Sequence, residues 1–178
     1  MGSVRHEIKQ TRPFASLADE AVVTLLRTAD HARTALSSVV EEAGITLQQY
    51  NVLRILRGAG ASGLPTLEIA SRMIEASPGI TRLLDRLEAK GLALRERCPA
   101  DHRQVLCRAS ERALQGLSAL ERPMAEASER LMSALDARRS SELVRLLDAV
   151  RAAGTAPGRA AERRESNSKP RGRKEKRR

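Results

Sequence analysis

Three kinds of side chain in this chain could do chemistry: arginines gathered around one short amphipathic segment, a pair of cysteines, and three scattered histidines. The arginines matter most. The segment from Ser77 to Gly91, SPGITRLLDRLEAKG, opens with a favoured N-cap, Ser77, and places Pro78 at the first helical position, where a missing N–H costs nothing. Ile80, Leu83, Leu84 and Leu87 then recur at i, i+3, i+4 and i+7, a spacing that predicts one buried face. Gly79, Thr81, Arg82, Asp85 and Arg86 fall on the other faces, and Gly91 supplies a left-handed stop. A helix with an apolar back and a polar opening turn has the form of one that reads nucleic acid.

The cysteines and histidines promise less. Cys98 and Cys107 fall on the two arms of an expected hairpin, LALRERCPADHRQVLCRAS, in which the pattern turns strand-like around Pro-Ala-Asp. One reading is two reduced thiols, as is usual in a cytosolic protein; the other is a redox-sensing pair, with Arg95, Arg97 and Arg108 placed to lower a thiol pKa. Both stay open. His6, His31 and His102 fall on an arm, a helix and a hairpin tip, and no phosphate loop, paired-carboxylate motif or nucleophile elbow accompanies them. Neither catalysis nor a cofactor is expected. His102 and the two cysteines do not complete a zinc site, so no metal is expected either.

These residues need elements to position them. Leu17, Val22, Leu25, Leu26, Ala29, Ala32, Leu36, Val39 and Val40 trace a long stripe that predicts a helix over 17–43, ended by Gly44. Thr46-Leu47-Gln48-Gln49 reads as a capping box opening a second helix to about Arg57, and Gly58 to Gly63 is a loop by composition. A third helix is expected from about Pro65 to Met73, followed by a tight turn into the Ser77 helix, so that two helices joined by a turn precede a hairpin. Beyond the hairpin, apolar spacing predicts a helix over 111–135, bent or divided at Pro123, and a last one over 140–153 capped by Ser140. Long amphipathic helices at both ends exceed what a small winged domain needs, so their apolar faces are expected to meet each other and a second copy of the chain.

Composition agrees with this plan. Apolar residues make up 41% of the 178, but there is one Tyr and one Phe, so the core must be aliphatic and the chain mainly helical. The formal charge is +10, and residues 159–178 hold 10 Lys or Arg against 3 acids. From 154 onward Gly, Pro, Ser and charge leave no apolar periodicity, which predicts a disordered basic tail with sequence-independent attraction to phosphate. From Arg72 to Arg108 there are 8 Lys or Arg and 5 acids, a second, weaker positive region. Residues 1–15 carry no pattern and are expected as a flexible arm. No apolar run approaches the ~20 residues of a membrane span, and a cytoplasmic protein without membrane contact is expected.

The order of parts and the wording of ITLQQYNVLRIL, TLEIASRM, SPGITRLLDRLEAKGL and LRERCPADHRQVL resemble the MarR family of bacterial transcriptional regulators over about Leu17 to Val150. Any one fragment is weak; their order and spacing are specific. The resemblance implies a mainly α fold with a small β-wing: a winged helix-turn-helix domain, 16–153, whose DNA-binding part is about 46–109 and whose flanking helices interlock in a homodimer. It also implies residue roles. The start of the Ser77 helix would enter the major groove of double-stranded DNA, bringing Ser77, Pro78, Gly79 and Thr81 close, with Arg82 gripping a guanine edge through two hydrogen bonds. Arg86 would meet phosphate, and so would Arg72. Asp101-His102-Arg103 looks like the family's Asp-x-Arg signature, with Arg103 in the minor groove and Asp101 orienting it. Gly79 replaces a polar residue often found there, and Gln104 stands where the family often has another basic residue.

The expected function is a homodimeric, sequence-specific regulator of a near-palindromic operator, acting as a repressor and released by a small lipophilic anion or by oxidation. Arg27, His31 and Tyr50 are the candidates for lining an effector pocket, although the shortage of aromatic residues argues against a stacking site. The alternative is a sequence-tolerant architectural protein in which the basic tail supplies the affinity and the core only pairs two tails.

Overall fold

Ser16 opens the longest helix among the described residues: its hydroxyl accepts the Asp19 N–H at 3.1 Å, and Asp19 and Glu20 place negative charge at the positive end. The computed structural model describes residues 3–75, 79–97 and 104–155. Its elements are α1 (Val4–Glu7), α2 (Leu17–Glu41), α3 (Leu47–Ala59), β1 (Leu64–Pro65), α4 (Thr66–Ser71), α5 (Ile80–Ala89), β2 (Ala93–Arg97), β3 (Val105–Ala109), α6 (Glu111–Met132) and α7 (Ala137–Thr155). They divide into two units, residues 1–131 and 132–178. The fold is mostly helical with one small sheet, as the hydrophobic spacing predicts.

In the first unit the three strands are ordered β1-β3-β2, both pairings antiparallel. Ala93 pairs with Ala109, Arg95 with Cys107 and Arg97 with Val105, which gives the hairpin expected from the alternating sequence. β1 is unexpected, since two residues are too few to show any alternation; Leu64 pairs with Cys107 and Pro65 with Leu106. Gly63 makes that close approach possible. Its φ of +66° suits glycine, and an added Cβ would lie 2.9 Å from the Cys107 carbonyl oxygen. α4 consequently starts at Thr66, with Pro65 spent on the strand, and stops at Ser71, two residues before the expected Met73.

The core gathers Val40 of α2, Val52, Leu53 and Leu56 of α3, Ile69 of α4, the whole α5 stripe, Cys107 of β3 and Ala113, Leu117 and Leu120 of α6. α3 is opened by the capping box expected from its sequence: the Gln49 N–H donates to the Thr46 hydroxyl at 3.2 Å, and the Thr46 N–H to the Gln49 side chain at 3.1 Å. The helix continues past Arg57 to Ala59, through Gly58. α6 runs through Pro123 as one helix, so the division expected as one outcome there is not made.

Residues 3–15, expected as a patternless arm, carry α1. Val4 is buried, and the Arg5 guanidinium donates to the carbonyls of Gln10 and Thr11 at 3.2 and 2.9 Å. In the second unit, α7 starts three residues earlier than expected. Asp136 caps it, accepting the Arg139 N–H on its carboxylate at 2.8 Å and the Ser140 N–H on its carbonyl at 2.9 Å, so Ser140 lies inside the helix. The basic tail beyond 155 lies outside the described residues.

Candidate nucleic-acid interface and adjoining cavity

The outward face of α5 is built by what its inward face buries. Ile80, Leu83, Leu84 and Leu87 are all buried, which turns Thr81, Arg82, Asp85 and Arg86 to the surface. The helix begins at Ile80 with Gly79 in the cap position, and the first intrahelical bond runs from the Leu83 N–H to the Gly79 carbonyl at 3.0 Å. This is later than a start at Pro78; Ser77 and Pro78 themselves lie outside the described residues. The other end is as expected. Gly91 has φ +66°, its N–H donates to the Glu88 carbonyl at 2.8 Å, and the Leu92 N–H donates to the Leu87 carbonyl at 2.8 Å, a Schellman closure.

The candidate cations differ in their surroundings. Arg82 is exposed and has no hydrogen-bond or ionic partner among the described residues, which leaves its planar fork available. Arg86 is exposed too, and it also lines a cavity. Arg72 ends α4 and pairs with Glu68 one turn back, so phosphate would have to compete with a carboxylate for it. Asp101, His102 and Arg103 lie outside the described residues; the strands on either side reach Arg97 and Val105. Cys98 is outside them as well. Cys107 is wholly buried, with Arg95 opposite it, so the one thiol that can be described is shielded from an aqueous oxidant.

Sequence reasoning placed Arg95 of β2 beside the thiols but missed its contacts with α5. Its guanidinium donates to Asp85 at 2.6 Å and to the Thr81 carbonyl at 3.2 Å, and lies 3.3 Å from Glu88. Burial lowers its pKa, but the hydrogen bonds to Asp85 and Cys107, with the charges of Asp85 and Glu88, outweigh this and raise it above the ordinary arginine value. At the far end of α5, the Lys90 ammonium donates to the Gly44 carbonyl at 2.5 Å, tying that end to the exit of α2.

Beside α5 lies a cavity of about 280 Å³. Arg33 and Ser37 of α2, Leu47 and Asn51 of α3, Met73 to Glu75 in the turn after α4, and Leu83 and Arg86 of α5 contribute to its wall. Two bonds hold that turn: Arg33 donates to Glu75 at 2.9 Å, and the Ile74 N–H donates to the Asn51 side-chain oxygen at 3.1 Å. The bond to Glu75 and its charge raise the Arg33 pKa. Arg27, His31 and Tyr50, expected to line an effector pocket, do not line this cavity. Arg27 and His31 face Glu7 of α1 at 3.5 and 3.8 Å, and Tyr50 is buried in the core with the Arg54 guanidinium 5.9 Å from its ring centre. Arg33 follows Arg27 along the same helix, but its partner Glu75 is distant in sequence, and no local pattern announces the pair.

Residues 45–105 match the model of the MarR family. The crystal structure of a MarR transcription factor from Planctomyces limnophilus is similar to this chain at 38% identity, covering 76% of this chain and 98% of that one, with a TM-score of 0.60. This chain belongs to the MarR family. MarR proteins are transcription regulators rather than enzymes, and DNA-binding regulation of transcription is this chain's activity. The MarR fold recurs at lower identity. MepR from S. aureus, solved as a DNA complex, is 22% identical over 73% of this chain and 96% of its own, with a TM-score of 0.66. CouR from Rhodococcus jostii RHA1, solved with p-coumaroyl-CoA, is 23% identical over 76% and 94%, with a TM-score of 0.65. Nothing among the curated proteins matches the chain. Among the described residues no helix is long and apolar enough to cross a membrane, and no group of three or more His, Cys, Asp and Glu could hold a metal ion.

Proposed function

We propose that this MarR protein is a cytoplasmic homodimer that represses transcription by occupying a near-palindromic operator and leaves it when a small anion binds. The observation that carries the reading is that Arg82, on the outward face of a helix whose opposite face is buried, has no partner among the described residues. A guanidinium so placed can grip guanine O6 and N7 in the major groove, while Arg86, one turn on, meets phosphate. In this reading Ser77, Pro78, Gly79 and Thr81 would come nearest the bases, and Arg72 would meet the DNA backbone. Arg103, oriented by Asp101, would enter the minor groove and read its width.

The second copy is supported by exposed apolar surface. Leu17, Val22 and Leu26 of α2 are 82, 56 and 65% exposed, and Val144, Leu146 and Val150 of α7 are exposed as well. Two copies related by a twofold axis would read two inverted half-sites. For the effector, the cavity beside α5 offers apolar walls and the Arg86 guanidinium, with Arg33 engaged by Glu75, which suits a compound with an apolar body and a carboxylate that meets Arg86 and competes with Glu75 for Arg33. MepR, solved with DNA, and CouR, solved with p-coumaroyl-CoA, support this reading.

Selection of duplexes from a random library by the full chain tests the reading. The expected result is an enriched inverted repeat that a chain lacking residues 156–178 still prefers over random DNA. Loss of all discrimination on removing the tail, or no enriched repeat, would overturn it in favour of tail-driven, sequence-tolerant binding.

A further inference from the structure

We infer that Arg95 is a positioning residue for DNA reading: from the wing strand β2 its guanidinium fixes the roll of α5 about its own axis and so fixes where Arg82 points. The inference rests on Arg82 being a base reader. The four apolar side chains of α5 hold its inward face to the core by non-directional burial, which a directed contact can supplement in fixing the roll of the helix. Arg95 supplies directed bonds. Its three helix contacts, Thr81, Asp85 and Glu88, stand at i, i+4 and i+7, one line running most of the length of α5.

The first of these is the carbonyl of Thr81, directly before Arg82. That oxygen has a second lone pair free after its helical bond, so the wing strand can grip the opening turn without disrupting it. The Arg95 side chain is itself held. It is 23% exposed and stands directly opposite the buried Cys107 in the β2 and β3 ladder. Because the guanidinium is a rigid planar fork, strand and helix cannot roll against each other without breaking at least one bond. The tolerance of the reader is small. At the ~6 Å radius of a helix surface, a roll of about 20° moves a side chain by about 2 Å, enough to break a bidentate contact.

The test compares affinity for a duplex selected by the wild-type chain with affinity for a scrambled duplex. Arg95→Lys keeps the charge but cannot bridge a carbonyl and two carboxylates, and should lower the cognate-to-scrambled ratio about tenfold, within the range of one lost base contact. Added to Arg82→Ala, it should lower the ratio no further, since a positioning residue acts only through the group it positions. Asp85→Asn, on the exposed side of the same bond, should give a smaller fall in the same ratio and keeps the question open to measurement if Arg95→Lys fails to fold. A ratio within twofold of wild type for Arg95→Lys and Asp85→Asn, or falls that add to that of Arg82→Ala, would overturn the inference. Equal loss by Arg82→Ala on both duplexes would instead remove its premise, a distinct result.

Discussion

Helices α5 and α2 are both amphipathic, but the chain completes only one of them. α5 is short and buries all four residues of its apolar stripe, whereas α2 is two and a half times as long and buries Val40 alone of its nine. Leu17 and Leu26 of α2 stand 82 and 65% exposed, and α7 leaves Val144, Leu146 and Val150 exposed in the same way. The difference separates two sources of stability. α5 is held by side chains of its own unit, and Arg82 on its outward face has no partner among the described residues; the long helices each carry exposed apolar surface.

The strongest way to break the comparison is in the core. Leu84, fully buried in α5, should cost about 2–5 kcal/mol of unfolding free energy when replaced by alanine, the usual range for a buried leucine whose cavity only partly collapses. Denaturant titration measures this directly. A loss under about 1 kcal/mol would mean that the inward face does not hold the helix in place.

Leu26→Glu probes the other side. In a single chain a residue so exposed tolerates the change, whereas in an interface each copy of the carboxylate must be buried without a partner or force the helices apart, at about 2 kcal/mol or more per site. If the wild type sediments as the proposed dimer, the variant should sediment as monomer, together with weaker binding to every duplex. A variant that remains dimeric would place α2 outside the interface. Arg82→Ala is the complementary change on α5. It should cost about 1–3 kcal/mol on the selected duplex and much less on a scrambled one, altering preference at particular base pairs rather than affinity for DNA as a whole. The two variants thus distinguish a lost partner from a lost reader.

This division also explains what could be read from the amino acids. Elements whose determinants are local are legible: the Thr46 and Gln49 box, the α5 stripe and its Gly91 closure, and the alternation of the hairpin each lie within a few residues. Contacts between distant segments are not. Arg33 and Glu75 are separated by α3 and α4, and Arg95 reaches α5 only because the strand folds back beneath it, so neither the cavity wall nor the clamp on Thr81 has a local signature. A lone polar residue on a half-buried helix face, such as Asn51 in α3, was the available hint of the cavity. Tyr50 and His31 drew attention by their types, but composition does not tell which face a side chain shares.

The smallest expected effect concerns where α7 begins. Ser and Asp are about equally good N-caps, so sequence alone could not rank Ser140 above Asp136. The geometry separates them, because the Asp136 carboxylate accepts the Arg139 N–H while Ser140 is already helical. Asp136→Ala should therefore cost about 0.5–1 kcal/mol, and Ser140→Ala, which removes no cap and raises helix propensity, should be neutral or slightly stabilising. The contrast should survive in the Leu26→Glu background if capping is a property of α7 itself, because a local cap does not depend on a second chain. If Asp136→Ala costs stability only while the dimer is intact, the start of α7 is set by its partner, and α7 belongs with α2 among the helices the single chain leaves incomplete.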